Sequence, residues 1–144
     1  MARTTVRLED GYRTTIQSRH HTYHADEPIN AGGTDTAPTP SEMLMGALGS
    51  CIAITLKMYA DRKKWPLENV EISLDYERFN GKDYEAYDGD ELYVHEIRES
   101  IKLFGPLDEK QRERLLDIAT KCPVRRIIAL PTFFVEELIA EDEA

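Results

Sequence analysis

Cys51 and Cys122 are the two thiols of this chain and its most nucleophilic candidates. The thiolate, not the thiol, is the nucleophile, so the surroundings of each sulfur decide what it can do. Cys122 stands in Lys121-Cys122-Pro123-Val124. A residue before proline is pushed out of the helical region, and proline favours the first helical position, so Cys122 is expected to N-cap a short helix. There the positive end of the peptide dipoles would lower its pKa. Cys51 lies inside a long apolar run, where burial would raise its pKa unless a cation or hydrogen-bond donor stood beside it. A thiolate with such a partner can attack a peroxide, because the leaving oxygen needs a donor. A second thiol within reach can then trap the sulfenic acid as a disulfide before it oxidises further. The competing reading is packing. Free cysteine is among the most buried residue types, and separation along the chain says nothing about contact.

The element that must carry Cys51 is residues 38–64. Thr39-Pro40-Ser41-Glu42 supplies an N-cap threonine, a proline at the first helical position and a glutamate three residues after the threonine, which is a capping box. Met43, Leu44, Met45, Ala47, Leu48, Ile52, Ala53, Ile54 and Leu56 then cover nearly the whole circumference. A helix apolar all round must be surrounded. Its uninterrupted apolar part is short and broken by Gly and Ser, which favours a buried central helix over a membrane span. Asp61-Arg62-Lys63-Lys64 returns it to solvent, and Trp65-Pro66 ends it.

Upstream, residues 4–8 and 12–17 alternate around a turn at Glu9-Asp10-Gly11. Residues 22–25 add a third strand through Arg19-His20-His21. Residues 26–40 are rich in Pro, Gly and Thr and read as a loop. Downstream, Val70, Ile72, Leu74 and Tyr76 alternate with polar residues, the pattern of a half-buried strand. After a turn-rich stretch at 80–89, residues 91–104 form a second strand whose apolar parity slips. Leu92 and Val94 are even, while Ile97, Ile101 and Leu103 are odd, and a bulge near His95-Glu96 would account for the slip. Gly105-Pro106 breaks this strand. Asp108 and Gln111 cap a second helix, with an apolar face at Leu115, Leu116, Ile118 and Ala119. The short helix after Cys122 follows, and residues 132–138 close the chain as a strand. The order β-β-β-α-β-β-α-α-β is an α+β pattern.

At 144 residues, 41% hydrophobic and 31% charged, the chain is expected to form a single domain over 1–144. A net charge of -9 opposes binding to nucleic acid or to an anionic membrane. Glu136, Glu137, Glu141, Asp142 and Glu143 read as a solvated acidic tail. No secretory leader pattern opens the chain, which predicts a cytoplasmic protein. In that reducing medium two cysteines are reactive or inert thiols rather than a structural staple.

Taken together, PTPSEMLMGALGSC, the following MYADRK and the later KCPV resemble the OsmC/Ohr superfamily of cysteine-based hydroperoxide reductases, and more closely its OsmC-like redox protein branch. The likeness runs over residues 12–138. It implies an intertwined homodimer in which a long central helix packs on strongly curved antiparallel sheet, with active sites at the subunit interface. It further implies an antioxidant, stress-response peroxidase. On this resemblance Cys51 matches the peroxide-attacking cysteine and Cys122 the resolving one. Organic hydroperoxides would be the substrates, small dithiols or lipoyl groups the reductants, and no cofactor would be needed.

The family's hydroperoxide-reducing members carry a Glu directly after the helix-start Pro. Here that position is Ser41, and the acid stands one residue later at Glu42, a turn of about 100° around the helix. Glu42 is a candidate catalytic acid, and it is also the capping-box acid. The family's active-site Arg comes from the N-terminal strands. Arg13 is the choice from spacing, with Arg7, Arg19, Arg125 and Arg126 as alternatives. His20, His21, His24 and His95 do not read as a metal site, because His20 and His24 on one strand face lie roughly 13 Å apart. Tyr12, Tyr23, Tyr76, Tyr84 and Tyr87 could line a pocket for an organic substrate or serve as half-buried strand residues. Two other readings belong to different classes. One is a dimer that binds small molecules or thiol ligands without efficient peroxidase chemistry, motivated by Ser41. The other is a structural dimer with inert thiols.

Overall fold

A computed structural model describes residues 3–141. Asp142 and Glu143 of the acidic tail lie outside the described residues. The chain begins as an antiparallel meander of β1 (Thr4–Asp10), β2 (Arg13–Ser18) and β3 (His21–Ala25), in the order β1-β2-β3. Asp10 pairs with Arg13 across a two-residue turn whose first member, Gly11, has φ +58°. That left-handed conformation is one glycine adopts without steric cost. The turn at Arg19-His20 joins β2 to β3, with Arg19 itself at φ 57°.

The loop after β3 is organised by Asp26. This buried carboxylate accepts hydrogen bonds from the Glu27 N–H (2.8 Å), the Thr34 hydroxyl (2.5 Å), the Thr36 N–H (3.2 Å) and the Thr36 hydroxyl (3.0 Å). The Thr34 hydroxyl, then the neighbouring donors, hold its pKa well below the carboxylate range despite burial. The loop contains a short 3-10 turn at Ile29–Ala31 and delivers the chain to helix α1 (Pro40–Lys63).

Helix α1 starts where the capping box predicts. Glu42 N–H donates to the Thr39 hydroxyl at 3.2 Å, and Thr39 N–H donates to Glu42 Oε2 at 2.8 Å. Lys64 ends the helix in the left-handed conformation. The buried residues of α1 are Leu48, Ile52, Leu56 and Ala60, a single i, i+4 stripe. Burying each large aliphatic side chain contributes about 1.5–3 kcal/mol, against about 1 kcal/mol for a cap. The stripe therefore sets where the helix lies, and the cap only where it begins.

The expected all-round burial is not met within this chain. Leu44, Ile54 and Met58, on the other faces, remain 47%, 59% and 63% exposed. By length and hydropathy α1 could cross a membrane. It nevertheless packs on other elements of this chain: α1 lies against α2 (Glu109–Ala119), α3 (Pro123–Ala129) and strand β4 (Asn69–Asn80). Gly49 allows the close approach to β4, since a Cβ there would stand 3.0 Å from Leu74 Cδ1. Helix α2 has the predicted Asp108–Gln111 capping box and buries Leu115, Ile118 and Ala119, whereas Leu116 stays exposed.

Strands β4 and β5 (Tyr93–Phe104) form a second, two-stranded antiparallel sheet. Their register runs without interruption from Asn69↔Phe104 to Asn80↔Tyr93, so the expected bulge at His95-Glu96 is absent. The parity slip has another cause. Near α1 the even residues of β4 and the odd residues of β5 face the core, as Val70, Ile72, Leu74, Ile97, Ile101 and Leu103. At the far end the opposite face is covered instead. Phe79 and Val94 pair across the strands, Phe79 packs on Tyr84 at 5.3 Å, and the Tyr84 hydroxyl donates to Glu96 Oε2 at 2.5 Å. That hydrogen bond lowers the Glu96 pKa and raises that of Tyr84, because it favours the ionised carboxylate and the neutral phenol.

The closing strand predicted at 132–138 is not formed. Beyond α3 the chain carries no strand through residue 140, and Phe133 and Leu138 are 88% and 100% exposed. No edge of either sheet in this chain meets that segment, and a strand without a neighbour has no ladder to join.

Truncating the stripe should be costly. Leu56→Ala is expected to lower folding stability by about 2–5 kcal/mol, read by urea unfolding at fixed protein concentration. A loss near zero would show that α1 is not held by this stripe.

Candidate functional site

Cys51 sits one position before Ile52 on α1, at the edge of the buried stripe. It is half-buried and packs against the core cluster that contains Cys122. Cys122 follows α2 and is the N-cap of α3, with extended backbone (φ -66°, ψ 143°) and Pro123 in the first turn. Its Sγ accepts a hydrogen bond from the Arg125 N–H at 3.2 Å. Both cysteines are free thiols, and Cys51 lies close enough to act on Cys122.

The electrostatics of Cys122 reverse the expectation from its helix position. The thiol is fully buried and its pKa is raised, not lowered. Desolvation is the largest cause, the Arg125 N–H opposes it, and the neighbouring Cys51 and the Glu99 carboxylate push the pKa up further. α3 is only seven residues long, and its dipole does not outweigh complete removal of the sulfur from water.

Glu99 was not singled out from sequence. It lies on β5 between Ile97 and Ile101, in phase with the inward residues, and accepts a hydrogen bond from Arg125 Nη1 at 2.8 Å. The available signal was a charged residue on an otherwise apolar odd face.

The five candidate arginines separate clearly. Arg13 donates from Nη1 to the Thr36 hydroxyl and carbonyl, which ties β2 to the Asp26-centred loop. Arg7 is exposed on β1, Arg19 occupies the β2–β3 turn, and Arg126 is exposed on α3. Arg125 donates its backbone N–H to Cys122 Sγ, while its guanidinium is held by Glu99. Glu42 is exposed, and its carboxylate is engaged by the Thr39 N–H in the capping box.

A pocket of about 280 Å³ opens between the first turns of α1 and the β4–β5 sheet. Ser41, Leu44 and Met45 line it from α1, Tyr76, His95 and Ile97 from the sheet, and Ile128 from α3. Its walls are mostly apolar. The polar groups on its sheet side are the stacked Tyr76 and His95, whose hydroxyl and Nδ1 are 2.7 Å apart. The pocket thus shares α1 and α3 with the thiol pair. Of the five tyrosines, Tyr76 alone lines it among the described residues. Tyr12 lies over Gly32, Tyr23 approaches Ser18, Tyr84 binds Glu96, and the Tyr87 hydroxyl accepts from the Glu91 N–H.

A family model described as OsmC-like protein matches residues 33–136. No curated protein sequence matches the chain. Among solved structures, an OsmC-like protein of Mycoplasma pneumoniae superposes with TM-score 0.70 at 18% identity, covering 90% of this chain and 87% of that one. An organic hydroperoxide resistance protein OsmC of Legionella pneumophila gives TM-score 0.64 at 15% identity, over 89% and 88% of the two chains. The organic hydroperoxide resistance protein OhrB of Bacillus subtilis gives 0.58 at 17% identity, over 88% of each. At these identities the structures share the fold.

The raised Cys122 pKa has a measurable sign. In the unfolded chain the thiol ionises near its ordinary value of about 8.5, while in the folded chain it ionises higher. Its contribution is complete below the unfolded value and is lost as pH rises toward the folded one. Cys122→Ala should therefore flatten the alkaline decline in stability, measured by urea unfolding above neutral pH. An identical decline in both proteins would contradict the raised value.

Proposed function

We propose, from the premise that the chain belongs to the OsmC-like protein family, that it reduces organic hydroperoxides through Cys51 and Cys122. The observation that carries this reading is the juxtaposition of a half-buried thiol on α1 with a fully buried one at the N-cap of α3. Fold relatives described as organic hydroperoxide resistance proteins support it.

In this mechanism the Cys51 thiolate attacks the distal peroxide oxygen. The O–O bond breaks, and the alkoxide departs and takes up a proton to give the alcohol. Cys51 is left as a sulfenic acid. The Cys122 sulfur attacks it, forming the S–S bond and breaking the S–O bond. Hydroxide leaves with the Cys122 proton as water. A small dithiol or a reduced, dithiol-form lipoyl group then exchanges with this disulfide, gives two electrons and two protons, restores both thiols and is itself left as a disulfide. The chemistry calls on no metal or organic cofactor. The apolar pocket beside Leu44, Ile97 and Ile128 suits the organic portion of the substrate. Glu42 and Arg13 have structural duties in the cap and the loop, and in this reading their part in catalysis is to hold those elements.

The same reading makes the protein a cytoplasmic homodimer, each chain forming one domain. The exposed apolar faces of α1 and of the segment after α3 support this, because a second copy would cover both. A competing reading is a dimer that binds small molecules or thiol ligands. The raised Cys122 pKa favours it, since a protonated thiol is a slower nucleophile.

Three measurements test the proposal. Reduced protein treated with an equimolar organic hydroperoxide should yield a Cys51–Cys122 disulfide by peptide mass spectrometry, and Cys51→Ser should abolish hydroperoxide consumption. Unmodified thiols in folded protein would overturn the reductase reading and favour ligand binding. Sedimentation should give a dimer mass at micromolar concentration; a monomer would overturn the assembly.

A further inference from the structure

Glu99 is the charged residue within the inward row of β5. Its side chain is only 15% exposed, it is flanked along the strand by Ile97 and Ile101, and it stands opposite Leu74 on β4. A carboxylate on such a face is unfavourable unless it is paired and hydrogen-bonded. Its partner comes from α3. Arg125 Nη1 donates to Glu99 Oε2 at 2.8 Å, and the backbone N–H of Arg125 donates to Cys122 Sγ at 3.2 Å. One residue thus grips the carboxylate with its side chain and the sulfur with its backbone.

The groups facing Cys122 can be named element by element. Cys51 faces it from α1, Glu99 from β5 and Arg125 from α3. Helix α2 presents the apolar Leu115, Ile118 and Ala119 to the same core, and the ammonium of Lys121 just after it is paired with Asp117 at 3.0 Å.

We propose that Glu99 and Arg125 together set the charge beside Cys122: Arg125, seated on Cys122 Sγ through its backbone N–H, turns its guanidinium onto the Glu99 carboxylate and offsets that charge next to the sulfur. The proposal rests on the assignment of Cys122 as the resolving thiol. When the disulfide forms, the oxygen on Cys51 leaves as hydroxide and Cys122 supplies the proton that makes it water. That step consumes no oxidant beyond the hydroperoxide.

The test is a titration that uses no peroxide. In a Cys51→Ser background, Cys122 ionisation is followed by thiolate ultraviolet absorbance against pH. Glu99→Gln removes the negative charge and unpairs Arg125, and should move the transition to lower pH by less than about one unit, because the Glu99 charge is the smallest of the influences on this thiol. Arg125→Gln leaves Glu99 uncompensated and should move it to higher pH. Glu99→Asp should restore most of the original midpoint. A residue that served packing alone would loosen the site and admit water in either variant, moving both transitions downward. Shifts of the same sign, or no shift with Glu99→Gln, overturn the proposal. Should Arg125→Gln fail to fold, the Glu99→Gln shift and its reversal by Glu99→Asp decide the matter. Because no hydroperoxide is present, this outcome is independent of the disulfide experiment, and failure of either reading is recognised separately.

Discussion

The core and the thiol pair depend on the burial of one stripe of α1. Leu48, Ile52, Leu56 and Ala60 recur every fourth residue and are enclosed by α2 and the β4–β5 sheet. Close-packed contacts of this kind leave little freedom to rotate or slide. Fixing the stripe therefore fixes the azimuth of every other residue on the helix. Cys51, one residue from Ile52, is carried to the edge of the core. The end of α2, held by Leu115, Ile118 and Ala119, delivers Cys122 into the same core. The thiol pair is brought together by hydrophobic packing, with the Glu99–Arg125 ion pair as a polar link beside it.

Burial also decides the chemistry of the pair. At the N-cap of α3, Cys122 receives the Arg125 N–H, which alone would favour a thiolate. Complete exclusion of water acts in the opposite direction and prevails, reinforced by Cys51 and Glu99. Glu99 is tolerated on an apolar face because Arg125 meets it, and its charge is close enough to act on the sulfur. The polar part of this site is small, consisting of one carboxylate, one guanidinium and one backbone donor.

The remainder of α1 has an apolar surface that its own chain leaves uncovered, and so has the segment after α3. The N-terminal sheet is joined to α1 through the Asp26 loop, with Arg13 bonded to Thr36. These features describe a chain whose apolar surface extends beyond what it buries itself.

Much was legible in the sequence because it depends on local geometry. The capping boxes at Thr39 and Asp108, the Cys122 N-cap before Pro123 and the alternation of Val70, Ile72 and Leu74 each follow from a few neighbouring residues, and each is formed. The family was legible for a related reason, since its words surround both cysteines. The tertiary structure decided the rest. The parity slip in β5 is a change of the covered face, set by Tyr84 folding over Glu96, and no bulge is needed. The closing strand at 132–138 is absent because strand formation requires a paired edge, which its own composition cannot supply. Glu99 and the direction of the Cys122 pKa lay hidden for the same reason. Desolvation and charge proximity are properties of three-dimensional neighbours, and residues 51, 99 and 122 become neighbours only when the α1 stripe is buried.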